Sequence, residues 1–436
     1  MILSSLVKYS NRTEKYFTII VLLLLLEGVF RKWILPESVG NIFMIIRDPF
    51  VAYIVYKNFY AIKGNVVIKM MMLIASFLFI TTLIFGHHNI FVALYGIRIW
   101  IIYFPAIYIF GKSLTHDYVE RIGALFVRIL PFMVILSIFQ FISPVGSFVN
   151  KGLNMDVDMT KSAGEVMLRP SGVFTSIAGL ACYYTITLPF LLHFWNVNNN
   201  IIKKRFLLIA ICLYIVSIPV SISRTHLLFS LANLFFFLGV VNKKNMKKIL
   251  SLGVVLISSV FVMQKLPATS IFVNTFIARF EGASETEGGT ANSAVQRTLG
   301  DALDILDNNI PLFGYGEGFC TNFGVKLITG VVGASNLHDA KLQKIYLDSE
   351  MEWARLMTEE GIVFGAIMII LRLCLGISFL KLAYRCKNKG NKLPWIFLGP
   401  PLIFITTMPM KQPFNLCFMF IYGAIFIAFS QKRLKL

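Results

Sequence analysis

Two arginines at the ends of apolar segments are the first residues of this sequence that could carry chemistry. Arg169 and Arg224 each stand at the start of a long apolar run. A guanidinium group offers fixed, paired donors and does not lose its charge, so it suits a diphosphate that must be held and then released. Interfacial arginines also occur simply because their side chains reach lipid phosphate. Both interpretations place a membrane surface beside these residues.

Three further ionisable residues lie within apolar segments. Arg47 and Asp48 are adjacent in the middle of one segment, and Arg98 lies near one end of another. Charged side chains are costly in hydrocarbon and are usually functional or paired. Adjacent residues point about 100° apart on a helix, so Arg47 and Asp48 each need a third group, such as Arg98, as a partner. The alternatives are a buried ion pair that joins helices and a site in which Arg98 faces a cavity near the membrane surface.

The elements that position these residues are predicted to be transmembrane helices. Hydrophobic residues make up 57% of the 436 residues, more than a soluble core of ordinary composition needs. Apolar runs of about 17–25 residues recur, and the alternation of a membrane barrel is absent. We therefore predict an all-α fold with about twelve spans on a window of roughly 19 residues: 16–35, 39–57, 66–85, 90–111, 122–142, 173–196, 204–221, 224–241, 249–265, 353–380, 393–409 and 414–430.

Basic residues predict how these spans are oriented. They cluster in the N-terminal tail, in every second connection and in the C-terminal tail. By the positive-inside rule, both termini are cytoplasmic, and the net charge of +19 is mostly a signal of topology. Short loops that flank a membrane are not the single basic face that nucleic-acid binding needs, so we predict no nucleic-acid partner.

The predicted organisation has three parts. Residues 1–265 hold helices 1–9, residues 266–352 form a long extracytoplasmic loop between helices 9 and 10, and residues 353–436 hold helices 10–12. The loop is too polar for a bilayer. Apolar residues at helical spacing predict a short helix over 293–306, followed by a glycine-rich turn.

Several segments in this frame resemble the O-antigen polymerase and O-antigen ligase family. Their order matches that of the family, with the long loop between the ninth and tenth spans, and the similarity covers roughly residues 169–370. The segments are Arg-Pro-Ser-Gly-Val-Phe at 169–174, Ser-Ile-Ser-Arg-Thr at 221–225, Arg-Thr-Leu-Gly-Asp-Ala-Leu at 297–303, Pro-Leu-Phe-Gly-Tyr-Gly-Glu-Gly-Phe at 311–319 and Glu-Glu-Gly-Ile-Val-Phe-Gly at 359–365.

This resemblance implies a glycosyltransferase that needs neither a metal nor another cofactor. Its implied location is the bacterial inner membrane, and its donor is an undecaprenyl-diphosphate-linked oligosaccharide. Arg169 and Arg224 correspond to diphosphate contacts, and Arg297 is a candidate third, beside Arg98. A flippase and a chain-length regulator, as well as membrane lipid, are the expected partners.

The candidate general base departs from the family pattern. Ligases of this family carry a histidine about eleven positions before the glycine matched by Gly361, and this chain has Glu350 there. A carboxylate can also accept a proton from a sugar hydroxyl. The alternatives are therefore Glu350 and His338, the loop histidine, and Glu350 could equally be a glutamate that stabilises a helix start. The missing histidine favours a polymerase over a ligase.

Other interpretations of the sequence remain to be distinguished. A flippase or transporter would share the span count, but its ionisable residues should cluster at the midplane between internal repeats. The Asp156-Val-Asp158 triplet resembles a metal-binding motif, but it is predicted on the side that lacks nucleotide sugars. Only one of six cysteines, Cys320, falls in the long loop, so the loop has no disulfide framework.

Overall fold

The computed structural model describes most of the predicted helical parts of the chain. The described residues are 11–36, 39–40, 43–144, 146–151, 159–162, 165–197, 201–240, 264–265, 270–278, 281, 299, 301–306, 310–321, 324 and 352–431. Within these ranges the regular secondary structure is helical except for one short hairpin. The strands of this hairpin, β1 (Met159–Ser162) and β2 (Glu165–Leu168), pair antiparallel with Met159 opposite Leu168.

The helices of the first half precede and follow this hairpin. They are α1 (Arg12–Val29), which continues as a π-helical turn over Phe30–Ile34, then α2 (Asp48–Lys57), α3 (Val66–Phe85), α4 (Ile90–Arg98), a second π-helical turn over Ile99–Tyr103, α5 (Phe104–Ser113), α6 (His116–Ile142), α7 (Ile177–Asn196), α8 (Lys204–Val220) and α9 (Arg224–Leu238). Short 3₁₀ turns lie at Phe59–Ile62 and Phe148–Asn150.

The second half contains one long helix and several short ones. They are α10 (Asp301–Leu306), α11 (Glu352–Asn388), α12 (Leu393–Ile396), α13 (Gly399–Thr406) and α14 (Pro413–Ser430). Helix α11 is kinked at Gly361, whose backbone angles (φ 80°, ψ 162°) are not helical.

Six helices among the described residues are long and apolar enough to cross a membrane. They are Val66–Phe85, Ile90–Ser113, His116–Ile142, Ile177–Asn196, Glu352–Asn388 and Pro413–Ser430. Each corresponds to a predicted span, and the first has the predicted boundaries. These apolar helices support the prediction of a membrane protein. The count of twelve spans and the extent of the long loop stay predictions.

Two predicted spans are interrupted in the structure, and prolines lie at the interruptions. Within 39–57 a turn at residues 44–47 precedes the α-helix Asp48–Lys57, which has Pro49 in its first turn. The span predicted at 393–409 consists of α12 and α13, and Pro400 and Pro401 lie where α13 begins. Proline lacks the N–H group that an interior helix position donates, but it fits the first turn, so a helix starts there instead of passing through.

The core of the bundle is built around α14. Every residue from Leu416 to Phe429 is at most 4% exposed. A helix that is apolar on all sides and covered on all sides belongs to the interior of a bundle. Helix α5 packs against it closely at Gly111, where an added Cβ would lie 2.5 Å from Ile427 Cβ and 3.0 Å from the Ala424 carbonyl oxygen.

This close approach predicts that Gly111→Leu destabilises the protein. A larger side chain would push α5 away from α14, and overpacking of this kind costs about 1–3 kcal/mol or more. We expect a lower melting temperature in detergent, measured by size-exclusion chromatography after heating. Gly64→Leu is the matched control, because an added Cβ at Gly64 has nothing within 4 Å. Equal melting temperatures for the two variants would contradict the packing argument.

Candidate functional site

The loop that carries Arg169 is fixed to the end of α6. Gln140, in the last turn of α6, accepts hydrogen bonds from the backbone N–H groups of Ser171 (3.1 Å) and Gly172 (2.8 Å). Its amide also donates to the Gly172 carbonyl oxygen at 2.9 Å. The loop then enters α7, whose N-cap Ser176 accepts from Ala178 N. Arg169 therefore stands, partly buried, between hairpin β1–β2 and the start of α7.

Arg224 is the first residue of α9, at the end of a sharp turn from α8. The turn is capped by Ser223, whose hydroxyl accepts from His226 N at 3.2 Å. Ile222 has φ 48° and is fully buried. A β-branched residue rarely adopts this left-handed conformation, and such strain persists only where the surroundings enforce it, often at functional sites. The packing of Ile222 against Phe141 of α6 supplies that enforcement.

Contacts between α6, α7 and α9 bring these two arginines to one end of the bundle. Tyr184, two turns into α7, stacks on His226 of α9 with ring centroids 4.5 Å apart, and its hydroxyl lies 3.5 Å from that of Ser137 on α6. Helix α6 ends where α7 and α9 begin. Arg169 and Arg224, which come from separate motifs, are therefore at the same end of these three helices, and both are partly buried.

Two basic residues that the sequence analysis did not single out join this end. Lys32, in the π-helical turn after α1, is buried and donates to Ser171 Oγ (2.9 Å) and to the carbonyl oxygens of Gly172 (3.0 Å) and Phe174 (3.3 Å). The preceding Arg31 lies 3.5 Å from Thr175 Oγ1. The loop after Arg169 therefore wraps around a lysine ammonium.

The charged residues predicted within the second and fourth spans form the first ion cluster, made of Glu27, Arg47, Asp48 and Arg98. Arg98 is ion-paired with Asp48, which also accepts from the Tyr103 hydroxyl, and Arg47 pairs with Glu27 at 2.8 Å. All four are at most 6% exposed. The structure thus contains the Asp48–Arg98 pair that the sequence suggested. Glu27 was missed, although a glutamate inside an apolar run is a signal that could have found it.

This pairing weakens the case for Arg98 as a diphosphate contact. Its Nε donates to the Tyr95 carbonyl oxygen at 2.9 Å, and its guanidinium lies 3.7 Å from the centre of the Tyr95 ring. The side chain is buried and its charge is matched by Asp48. The geometry therefore favours a structural role for Arg98 and the interpretation as an ion pair that joins helices.

The second ion cluster lies at the start of α11 and consists of Glu352, Arg355, Glu359 and Arg372. Arg355 binds Glu352 through two donors, at 2.9 and 2.8 Å, and is also paired with Glu359. Arg372 pairs with Glu352 and donates to the carbonyl oxygens of Phe404, Ile405 and Met408, at the end of α13. All four side chains are fully buried.

The glycine turn, residues 311–321, lies between this cluster and the α3–α4 connection. On one side Tyr315 N and Gly316 N donate to the carbonyl oxygens of Thr358 and Glu359, each at 2.9 Å. On the other side Glu317 N donates to Thr82 Oγ1 at 2.9 Å. Each of these hydrogen bonds runs from the irregular backbone of the turn to a residue of a helix, so the turn itself joins α3 to α11.

Two glycines permit this close packing. Gly318 and Gly361 both have positive φ (83° and 80°). An added Cβ at Gly318 would lie 2.4 Å from the Val92 carbonyl oxygen, and one at Gly361 would lie 2.1 Å from the Leu312 carbonyl oxygen. Both positions therefore exclude side chains, through backbone conformation and through contact. The glycine-rich sequence predicted a turn here, and the structure adds the close packing against α4 and α11.

Three residues of the predicted site lie outside the described residues, namely Glu350, His338 and Arg297. The Asp156 and Asp158 pair does as well. Within the described ranges, no three His, Cys, Asp or Glu side chains are grouped so that they could hold a metal ion. The structure therefore brings together Arg169 and Arg224, and the identity of the base stays a prediction.

Comparisons with protein-family models, with curated proteins and with solved structures found no match to this chain.

The Asp48–Arg98 pair predicts a specific pattern of stability. Asp48→Asn and Arg98→Gln should each lower stability by about 3–5 kcal/mol, because each leaves a buried charge without its partner. The double variant should recover part of this loss, since it leaves neither charge behind. Melting temperatures of the four proteins in one detergent form the double-mutant cycle. Losses that simply add in the double variant would show that the two side chains do not interact.

Proposed function

We propose that this protein polymerises undecaprenyl-diphosphate-linked oligosaccharide repeat units into O-antigen or capsular polysaccharide at the outer face of a bacterial inner membrane. The observation that carries this proposal is the common location of Arg169 and Arg224. They come from two motifs about 55 residues apart, both resembling one enzyme family, and they stand at the same end of α6, α7 and α9. Two guanidinium groups at one end of a bundle suit the two phosphates of one diphosphate.

Local electrostatics support an anion at this end. Helices α7 and α9 both begin here, and a helix N-terminus carries a partial positive charge and free N–H groups. Arg224 adds a full positive charge at the first position of α9. A cation is unfavourable at this position, and a bound anion relieves the cost. This arrangement fits a site that is loaded and unloaded with a diphosphate.

The proposed topology places this end outside the cytoplasm. Twelve spans with both termini cytoplasmic follow from the alternation of basic connections. In that frame the basic residues Lys203, Lys204 and Arg205 precede α8 on the cytoplasmic side, and α9 begins on the outer side. The long loop over residues 266–352 lies on the same outer side and would cover the arginines.

The proposed reaction uses two lipid-linked chains. A sugar hydroxyl oxygen of the acceptor attacks the anomeric carbon of the donor, the bond from that carbon to the diphosphate oxygen breaks, and the hydroxyl proton passes to a base. Undecaprenyl diphosphate leaves with its negative charge stabilised by Arg169 and Arg224. Diphosphate is a good leaving group, so arginines and a positioned base are sufficient for this chemistry without a metal.

Arg169→Ala and Arg224→Ala are each expected to abolish polymer formation. Loss of this kind of charge stabilisation typically lowers the reaction rate by about 10²–10³-fold. The measurement is elongation of purified lipid-linked repeat units by the protein in lipid vesicles, with a chelator and no nucleotide. Arg224→Lys should retain part of the activity, because an ammonium keeps the charge but loses the paired donors.

Arg205→Ala is the matched control, since Arg205 is exposed and lies at the opposite end of α8 from Arg224. It should polymerise normally. Polymer of normal length from both the Arg169→Ala and Arg224→Ala proteins would disprove the role of these arginines. Failure of the wild-type protein to elongate repeat units under these conditions would contradict the polymerase proposal and leave the ligase and transporter interpretations.

The base is tested by a pair of substitutions in the long loop. We expect Glu350→Gln to lose activity, because an amide cannot accept the proton, whereas the protein remains in the membrane. If His338 is the base instead, His338→Ala loses activity and Glu350→Gln retains it. Activity retained by both variants would exclude both candidates.

The runner-up reaction is the ligase reaction, in which the acceptor is the lipid A core. A cell without the gene distinguishes the two. Loss of a polymerase leaves single repeat units on the lipid A core, whereas loss of a ligase leaves long chains on the carrier lipid. The glutamate at position 350, where ligases of the resembling family carry histidine, favours the polymerase.

A further inference from the structure

Two carboxyl groups beside the second ion cluster have no role in the function proposed above. Glu317, in the glycine turn, is 1% exposed, and Glu360, the residue before the kink of α11, is 0% exposed. Among the described residues, neither oxygen of Glu360 has a hydrogen-bond partner, and Glu317 Oε1 has none either. Buried carboxylates without partners are rare because removing a charge from water is costly.

The cations nearest to them are already balanced. Arg355 is paired with Glu352 and Glu359, and Arg372 with Glu352. Two guanidinium groups are thus matched by two carboxylates within the cluster. Glu317 and Glu360 are two further carboxyl groups outside this balanced set, and their charges repel each other. Among the described residues, the guanidinium groups nearest to this pair are thus already ion-paired, so a second charge on the pair is only partly offset.

The described residues around this pair do not form a metal site, because no group of three His, Cys, Asp or Glu side chains there could hold a metal ion. A proton needs only one carboxyl oxygen to carry it. Because Glu317 and Glu360 repel each other when both are ionised, one of the two carboxyl groups keeps a proton more readily than an isolated carboxyl group would.

We propose that Glu317 and Glu360 form a buried proton-binding site that holds one proton and thereby fastens the glycine turn to α11. The bound proton removes one of the two like charges and with it the repulsion between the side chains. When the proton is lost, two like charges face each other across the contact between the turn and the helix. The hydrogen bonds from Tyr315 N and Gly316 N to α11 must then hold against this repulsion. The proposal is independent of the reaction that the protein catalyses.

Other titratable groups face this pair from each packed element. His87 lies in the α3–α4 connection, and its Nε2 is 3.0 Å from the Glu317 carbonyl oxygen. Burial lowers the pKa of His87, so its ring is neutral at neutral pH. Cys320 in the turn is buried, and burial raises the pKa of its thiol. Lys411, before α14, is 6% exposed, and its charge acts on Cys320.

The pH range of the proton follows from Glu317. Burial, reinforced by the charge of Glu359 and opposed by Arg355, raises the pKa of Glu317 to about 8. An unfolded glutamate ionises near pH 4.3. Below that pH, Glu317 carries the proton in both the folded and the unfolded protein. Between that pH and about pH 8, it carries the proton only in the folded protein. Stability is therefore greatest at low pH and falls as the pH rises, by up to about tenfold in the unfolding equilibrium per pH unit.

Infrared spectroscopy of the full-length protein in lipid nanodiscs tests for the proton directly. The carbonyl stretch of a protonated carboxyl group should be present at pH 7, shift in D₂O and disappear with a midpoint near pH 8. The double variant Glu317→Gln/Glu360→Gln should lack this band. In either single variant the midpoint should move to lower pH, because an amide replaces a like charge and can donate to the remaining carboxylate.

Thermal stability supplies the second measurement. Glu360→Gln imitates the protonated carboxyl, so its melting temperature should match wild type near pH 5 and exceed it by about 2 °C or more at pH 9. Glu359→Gln is the contrasting variant. Glu359 is ion-paired with Arg355 and accepts a hydrogen bond from Cys320 N at 2.7 Å, so this variant should be less stable than wild type at every pH. Asp117→Asn, at an exposed position of α6, should leave the infrared band unchanged.

Three outcomes would overturn the proposal. They are the absence of a protonated carboxyl band from the wild-type protein between pH 6 and 7.5, a band that survives in the double variant, and a Glu360→Gln protein that is less stable than wild type at pH 9. The first uses only the wild-type protein, so it decides the question even if the variants do not fold.

Discussion

One buried carboxylate, that of Glu352, joins three separate segments of the chain. It accepts from Arg355 in the next turn of α11, from Arg372 in the middle of the same helix, and from Met410 N at 2.9 Å in the connection between α13 and α14. An isolated carboxylate in this environment would be very costly, so these donors must be present together. The kinked shape of α11 and the end of α13 both depend on this arrangement.

The two ion clusters contact neighbouring parts of the connection between α13 and α14. The second cluster binds Met408 and Met410, and Arg47 of the first cluster lies 3.5 Å from the carbonyl oxygen of Pro413, the first residue of α14. The backbone that follows α13 is irregular, and irregular backbone inside a bundle needs side chains that satisfy its polar groups. The two clusters supply such side chains here.

The sequence predicted the long apolar helices well because length and hydropathy are local properties. The helix Val66–Phe85 has the predicted boundaries. The structure departs from regular helix in span 39–57, where Pro49 lies in the first turn of the helix and Asp48 is paired with Arg98, a partner distant in sequence. The sequence likewise pointed to Arg169 and Arg224 through their motifs. It did not identify Lys32, because nothing local shows that a loop more than 130 residues away supplies its acceptors.

The complete burial of α14 has a consequence for the order of assembly. A ribosome makes α1–α13 before α14, and spans enter the membrane as they emerge. The surfaces of α5, α7 and α13 that face α14 are therefore made early and remain uncovered until it arrives. During that interval they must be covered by lipid, by an insertion chaperone or by a looser arrangement of the earlier helices. The helix at the centre of the finished core is thus the last of those described here to be synthesised.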